Sequence, residues 1–263
     1  MKIAVMQFPG TNCEHECLVA VKTVGLDGEL FRWNRPAAEL SDFDGYIIPG
    51  GFAYQDRVRA GAIASKEPVM GALKEEAAIG KPIIGICNGF QILVESGLLP
   101  GTGKIDMALA QNVMVFNKKI VRRGYYCDWI NLKHDAMPKR CIGSFIIDKG
   151  ALLQMPIAHG EGNLVTMNKD LIKKLNENSQ VVFRYCDSQG REIPEFPVNV
   201  NGSTENIAAI CNPEGNVLGM MPHPERAFFD YQLPPFDPRK NSGQAGPGRL
   251  VFESMKRYIE VRK

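Results

Sequence analysis

Ile83-Ile84-Gly85-Ile86-Cys87-Asn88-Gly89-Phe90-Gln91 is the stretch on which the fold turns. A β-branched run passes directly into a helix-like segment, and the junction is a cysteine with a glycine two residues to either side. That spacing predicts a nucleophile elbow, with Cys in place of Ser. So tight a strand-to-helix turn would drive neighbouring side chains together, which is why Gly85 and Gly89 are needed; it also lifts Cys87 clear of the sheet. Free N–H groups and the macrodipole at the start of the helix favour a thiolate. The alternative is an inert core cysteine at a strand end, and it gives the glycine pair no purpose.

Outward from this elbow, short apolar runs alternate with helix-like stretches. Lys2 to Phe8, Glu29 to Trp33, Tyr46 to Ile48 and Pro82 to Cys87 are expected strands. Asn12 is the expected cap of a helix running to about Gly25, and Glu67 to Ile79 is a second helix stopped by Gly80-Lys81-Pro82. Strands joined through single helices need crossover connections, so this half is expected to be a parallel sheet with helices on both faces. Beyond Gly97 the expected strands are Gln111 to Phe116, Tyr125 to Leu132, Ser144 to Ile147 and Val181 to Cys186, with Ile207 to Cys211 and Val217 to Met221 joined as a hairpin. They form an antiparallel extension. Leu233 to Gly248, rich in Pro and Gly, is an expected exposed loop, and Arg249 to Val261 a final helix. No composition break divides the 263 residues, so one domain spans 1–263.

A formal net charge of +2 points to no nucleic-acid partner, and no apolar stretch approaches the roughly 20 residues needed to span a bilayer. Polar residues from Gln7 to Glu16 break up any export signal, so a cytoplasmic location is expected. The seven cysteines are scattered and odd in number, as for reduced thiols.

A cysteine nucleophile needs a base. In Met221-Pro222-His223-Pro224-Glu225-Arg226 the prolines favour extended backbone, which puts His223 and Glu225 on one side. Together with Cys87 they can form a Cys-His-Glu triad. Pro49-Gly50-Gly51-Phe52, at the end of the third strand, can offer a backbone N–H to a developing oxyanion, with Asn88 as the second donor. Both loops fall outside the carboxyl ends of parallel strands, where ligands bind in open sheets. Other motifs carry less. Cys13 and Cys17 share a helix face that His15 does not, so no metal site is expected. Gly101-Thr102-Gly103-Lys104 lacks the residues of a phosphate loop, and Lys118-Lys119 with Arg122-Arg123 is a solvated basic face.

With these motifs in place the chain resembles the class I, triad-type glutamine amidotransferases. The resemblance runs through Phe8-Pro9-Gly10-Thr11-Asn12-Cys13, Ile48 to Phe52, Gly85 to Gln91, Ala158-His159-Gly160-Glu161-Gly162, Phe183-Arg184-Tyr185-Cys186-Asp187 and Gly219 to Arg226. The His-Gly-Glu-Gly and Phe-Arg-Tyr-Cys-Asp segments resemble the purine-pathway branch in particular, the glutaminase subunits of phosphoribosylformylglycinamidine synthase. Gln55, where that branch suggests a small glycine, and the stretches 104–121 and 228–248 depart from the pattern.

The resemblance implies a flavodoxin-like three-layer α/β/α open sheet, mostly parallel with an antiparallel extension. It implies that Cys87 attacks the side-chain amide of L-glutamine, with His223 and Glu225 as base and orienter and the N–H groups of Gly51 and Asn88 holding the oxyanion. Gly50, Phe52, Gln91, His159 and Glu161 would shape the glutamine site. It implies no cofactor on this chain, ATP and Mg on a partner synthetase subunit that takes the ammonia, and a small accessory subunit. A freestanding Cys hydrolase on the same scaffold would share the elbow but leave the His223–Glu225 spacing and Gln91 unaccounted for. A silent docking subunit would have no reason to carry all three triad residues.

Overall fold

The computed structural model describes residues 1–235 and 243–262. In chain order the elements are β1 (Lys2–Gln7), α1 (Glu14–Thr23), β2 (Asp27–Arg32), β3 (Gly45–Ile48), α2 (Pro68–Ala78), β4 (Ile83–Ile86) and α3 (Asn88–Glu95). There follow β5 (Ala108–Gln111), β6 (Val113–Phe116), β7 (Lys119–Arg123), β8 (Tyr126–His134), β9 (Leu152–His159), β10 (Glu161–Val165) and α4 (Lys169–Glu177). The last are β11 (Val181–Cys186), β12 (Ile207–Cys211), β13 (Val217–Met220) and α5 (Arg249–Glu260).

Nine strands make the central sheet in the order β2-β1-β3-β4-β13-β12-β11-β8-β9. Pairing is parallel from β2 through β13 and antiparallel from β13 through β9. β3, β4 and β13 are buried along their whole length, as expected of parallel strands covered on both faces. By the rule that such crossovers are right-handed, α1 falls on one face of the sheet and α2 on the other; α1 meets α5, and α2 and α3 both pack on the turn at 64–66. This is the flavodoxin-like architecture, with its antiparallel extension. Among the described residues no helix is long and apolar enough to cross a membrane.

The differences from the sequence reading have local causes. Asn12 does not cap α1; Cys13 holds the cap position, and the N–H groups of Asn12 and Cys13 donate to the Gly50 carbonyl, each at 3.1 Å. The run from Gln111 to Phe116 is two strands in two small sheets, broken at the fully buried Asn112. Ser144 to Ile147 is no strand: its apolar residues form a tight turn, and Phe145 packs edge-on to Tyr258 of α5 at 5.7 Å. β9 went unread because Pro156 lies in its middle. As the outermost strand it pairs only with β8, so proline's missing donor costs no ladder bond. β7, β10 and α4 also went unread; β7 is exposed throughout, and α4 begins where the Asn168 side chain accepts from the Asp170 N–H at 3.1 Å. Of the expected loop at 233–248, residues 236–242 lie outside the described residues; Pro234, Pro235 and 243–245 are exposed.

Candidate functional site

The elbow forms because β3 and β4 run side by side. A Cβ on Gly89 would stand 1.9 Å from the Ile48 carbonyl oxygen, so only a hydrogen lets α3 start against β3. Cys87 takes φ 51° and ψ −105°, a conformation L residues adopt at a cost of about 1–3 kcal/mol. Its N–H donates to the Met220 carbonyl at 2.7 Å and its own carbonyl accepts from Gln91 at 3.2 Å, which holds the strained turn between β13 and α3. The sulfur is nearly buried and lies 3.8 Å from the Ala158 carbonyl oxygen.

β13 leads to the expected base. It pairs with β4 in parallel, Met220 opposite Ile86, so the residues following the two strands emerge together. His223 Nδ1 is 2.6 Å from Glu225 Oε1, and both residues are 2% exposed. Burial alone would lower the imidazole pKa. The Glu225 carboxylate, and after it the Cys87 sulfur, outweigh burial and hold His223 well above its ordinary value. With Nδ1 engaged, Nε2 is the nitrogen left to serve Cys87, and it has no hydrogen-bond partner in the protein. Gly50 fits between them: a Cβ there would be 2.7 Å from His223 Cε1 and 3.4 Å from Cys87 Cβ.

The loop after β3 reaches over the sulfur. Gly51 and Phe52 line a cavity of about 220 Å³ together with Cys87, Gln91, His159 and Glu161. Asn88 is the first residue of α3, so its N–H is among those a helix leaves without an internal acceptor. Its side chain fastens the loop by accepting from the Ala53 N–H at 3.0 Å and donating to Asp56 at 3.2 Å and to Gln91 at 2.8 Å. Tyr54, Gln55, Asp56 and Val58 all have positive φ, including the position where a glycine had been expected. Phe52 stacks on Tyr125, 6.5 Å between rings, and both are about half exposed at the cavity mouth. Gln91 is pinned, donating to the Glu161 carbonyl at 2.5 Å. Gly50 was expected at the glutamine site but is not among the cavity-lining residues; its carbonyl turns back to α1.

His159 is held by a residue the sequence reading missed. Asn112 accepts from the Gly162 N–H at 2.8 Å, and its amide nitrogen donates to the Gly124 and His159 carbonyls at 3.1 and 2.8 Å and stands 3.2 Å from His159 Nδ1. Burial and the nearby His223 push His159 down to about 3. Between that value and the unfolded 6.5 the unfolded chain binds the extra proton, so stability falls as pH drops below 6.5. At pH 5.5 the loss from this one group is about 1.4 kcal/mol. Urea unfolding should therefore show His159→Gln with a drop between pH 7.5 and 5.5 that is smaller by about 1 kcal/mol than the parent's. An equal drop would mean that folded His159 takes the proton.

Cys13 is the other residue that spacing did not reveal. Its sulfur lies 4.0 Å from His223 Nδ1 and accepts from Arg226 Nη2 at 3.1 Å, and burial pushes the thiol up. Cys13, His223 and Glu225 offer donor atoms within 4.8 Å of one another, types that suit zinc. The Arg226 guanidinium already stands at that sulfur and the His223–Glu225 bond uses the facing atoms, so the trio is a hydrogen-bonded support to the base. Tyr125, Asn112 and Asp56 had no motif to mark them.

Residues 1–259 match the family described as the CobB/CobQ-like glutamine amidotransferase domain. The phosphoribosylformylglycinamidine synthase subunit PurQ of Methanothrix thermoacetophila is 68% identical over 263 residues, covering all of both chains. The protein of the same name from Methanosarcina acetivorans is 44% identical over 260 residues, 98% of each. Among solved structures, a chain in "Structure of PurLQS from Thermotoga maritima" superposes with a TM-score of 0.74 at 32% identity, covering 98% of each chain.

Proposed function

We propose, because the chain belongs to the CobB/CobQ-like glutamine amidotransferase family, that it is the glutaminase subunit of a phosphoribosylformylglycinamidine synthase, working as a single domain. Full-length similarity to subunits of that name supports the reading. The observation that carries it is the emergence of Cys87 and the His223–Glu225 pair from the paired strands β4 and β13.

The Cys87 sulfur attacks the side-chain amide carbon of glutamine, and the N–H groups of Gly51 and Asn88 take the charge that develops on oxygen. His223 passes its proton to the departing nitrogen, leaving a glutamyl thioester and ammonia. His223 then accepts a proton from water as that water attacks the thioester. Glutamate leaves and the thiol is restored. Glu225 keeps one imidazole nitrogen engaged throughout, so the other always faces the reaction.

The acceptor chemistry belongs to partners. A synthetase subunit holding ATP and Mg converts formylglycinamide ribonucleotide with the ammonia, and a small accessory subunit joins them; the similar PurLQS structure supports such an assembly. We place the complex in the cytoplasm, and expect the chain to be a poor glutaminase until its partner aligns the loop over Cys87.

An electrophilic glutamine analogue such as 6-diazo-5-oxo-norleucine tests the nucleophile directly. Intact mass should show one adduct on the native chain, mapped to Cys87 and absent from Cys87→Ala. A native chain left unmodified even with its synthetase partner present would overturn the assignment.

A further inference from the structure

Cys13 touches two parts of the site that the triad leaves separate. Its backbone faces the loop after β3. The N–H groups of Asn12 and Cys13 donate to the Gly50 carbonyl, and the Phe52 N–H donates to the Gly10 carbonyl at 2.8 Å. The Gly50 carbonyl and the Gly51 N–H belong to one trans peptide unit, whose two ends point in opposite directions. With the carbonyl drawn toward the start of α1, the N–H is turned the other way, and Gly51 lines the cavity beside Cys87. Among the described residues that N–H has no acceptor.

The Cys13 side chain faces the base. Its sulfur lies 4.0 Å from His223 Nδ1 and accepts from Arg226 Nη2 at 3.1 Å. Arg226 Nε in turn is 4.0 Å from Glu225 Oε1, the oxygen that engages His223. One guanidinium therefore stands at the carboxylate beside the base and at the sulfur whose own backbone holds the Gly50 peptide. Burial pushes the Cys13 thiol up, so this second sulfur keeps its proton and takes none from the imidazole. Neither Cys13 nor Arg226 lines the cavity, and neither belongs to the triad.

We propose that Arg226, acting through Cys13, is a positioning residue for the reaction: the pair ties the His223–Glu225 couple to the Gly50–Gly51 peptide, so that base and oxyanion donor keep one spacing across Cys87. This rests on the glutaminase reading and adds to it the contact that sets the geometry. A shift of about 1 Å between catalytic groups can cost about 100-fold in rate even when its cause lies away from the chemistry. Because the pair does not reach the substrate, loosening it should lower turnover and leave binding alone.

The test measures glutamate release by the full chain assembled with its synthetase and accessory subunits, with kcat counted per Cys87 that 6-diazo-5-oxo-norleucine labels. Arg226→Met keeps the length of the side chain and removes its donors. It should lower kcat about 10- to 100-fold and move KM less than about threefold. Cys13→Ala should lose as much, and Cys13→Ser clearly less, because a hydroxyl can still accept from the guanidinium. Cys13 is 1% exposed, so its variants do not act by disturbing a partner's contact; Arg226, at 38%, serves if a Cys13 variant folds poorly. Since both residues act through one contact, Cys13→Ala combined with Arg226→Met should stay within about twofold of the poorer single variant. Losses that multiply, serine no better than alanine, kcat unchanged in both single variants, or an effect confined to KM would overturn the proposal. A native complex no more active on glutamine than Cys87→Ala would overturn the glutaminase reading, and this inference with it.

Discussion

Glu225→Gln is expected to lower glutamine-dependent turnover by about three to four orders of magnitude with the fold retained. Its Oε1 lies 2.6 Å from His223 Nδ1, and both side chains are almost wholly buried. The carboxylate is the leading group that raises His223 against the effect of burial. Glutamine keeps the volume but removes the charge, and its amide can present an N–H to the same nitrogen and select the wrong tautomer. Ammonia-dependent synthesis by the assembled complex should be unaffected, which separates a damaged glutaminase from a damaged assembly. The pair also contributes to stability. His223 is raised above its unfolded value, so this contribution is complete below pH 6.5 and is lost as pH climbs through the raised value. Glu225→Gln should flatten that dependence. A loss of less than about tenfold in turnover would show that the carboxylate does not orient the base.

Gly89→Ala should be the most damaging single methyl group in the chain, and Gly71→Ala a beneficial one. Both positions are helical, and in an open helix alanine is favoured over glycine by about 1 kcal/mol. At Gly71, in α2, an added Cβ meets nothing within 4 Å, so that gain should appear in full. At Gly89 the Cβ would lie 1.9 Å from a backbone oxygen of β3, and β3 is pinned between β1 and β4. Neither can yield without breaking a ladder. Overpacking of this kind costs about 3 kcal/mol or more, several times the helix preference, and it tilts α3 away from Cys87. Chemical denaturation of the two variants beside the parent decides the matter; equal midpoints would show that the elbow has slack.

What the sequence disclosed was what local geometry dictates. The glycines around Cys87 and the two-residue spacing of His223 and Glu225 are short-range constraints, legible without any fold. The parallel half followed from strands separated by single helices. What stayed hidden depends on contacts across the chain. Pro156 reads as a breaker until β9 is known to be an edge, and Ser144 to Ile147 reads as a strand until α5 covers it. Cys13 is 210 residues from the histidine it touches. Asp56 carried no motif, and its interest comes from the buried neighbours that the fold gives it.

The position of β13 has a consequence for how the molecule comes into being. It is the last strand of the described chain, yet it lies in the middle of the sheet, between β4 and β12. During synthesis β4 is finished about 130 residues before the strand that covers its open side, and a buried apolar edge left unpaired for that long invites association with other chains. The same delay is protective. On the proposed triad, a nascent chain carries its cysteine long before its histidine, and an unfinished subunit would not consume glutamine. On that reading competence waits for β13 to take its place between β4 and β12.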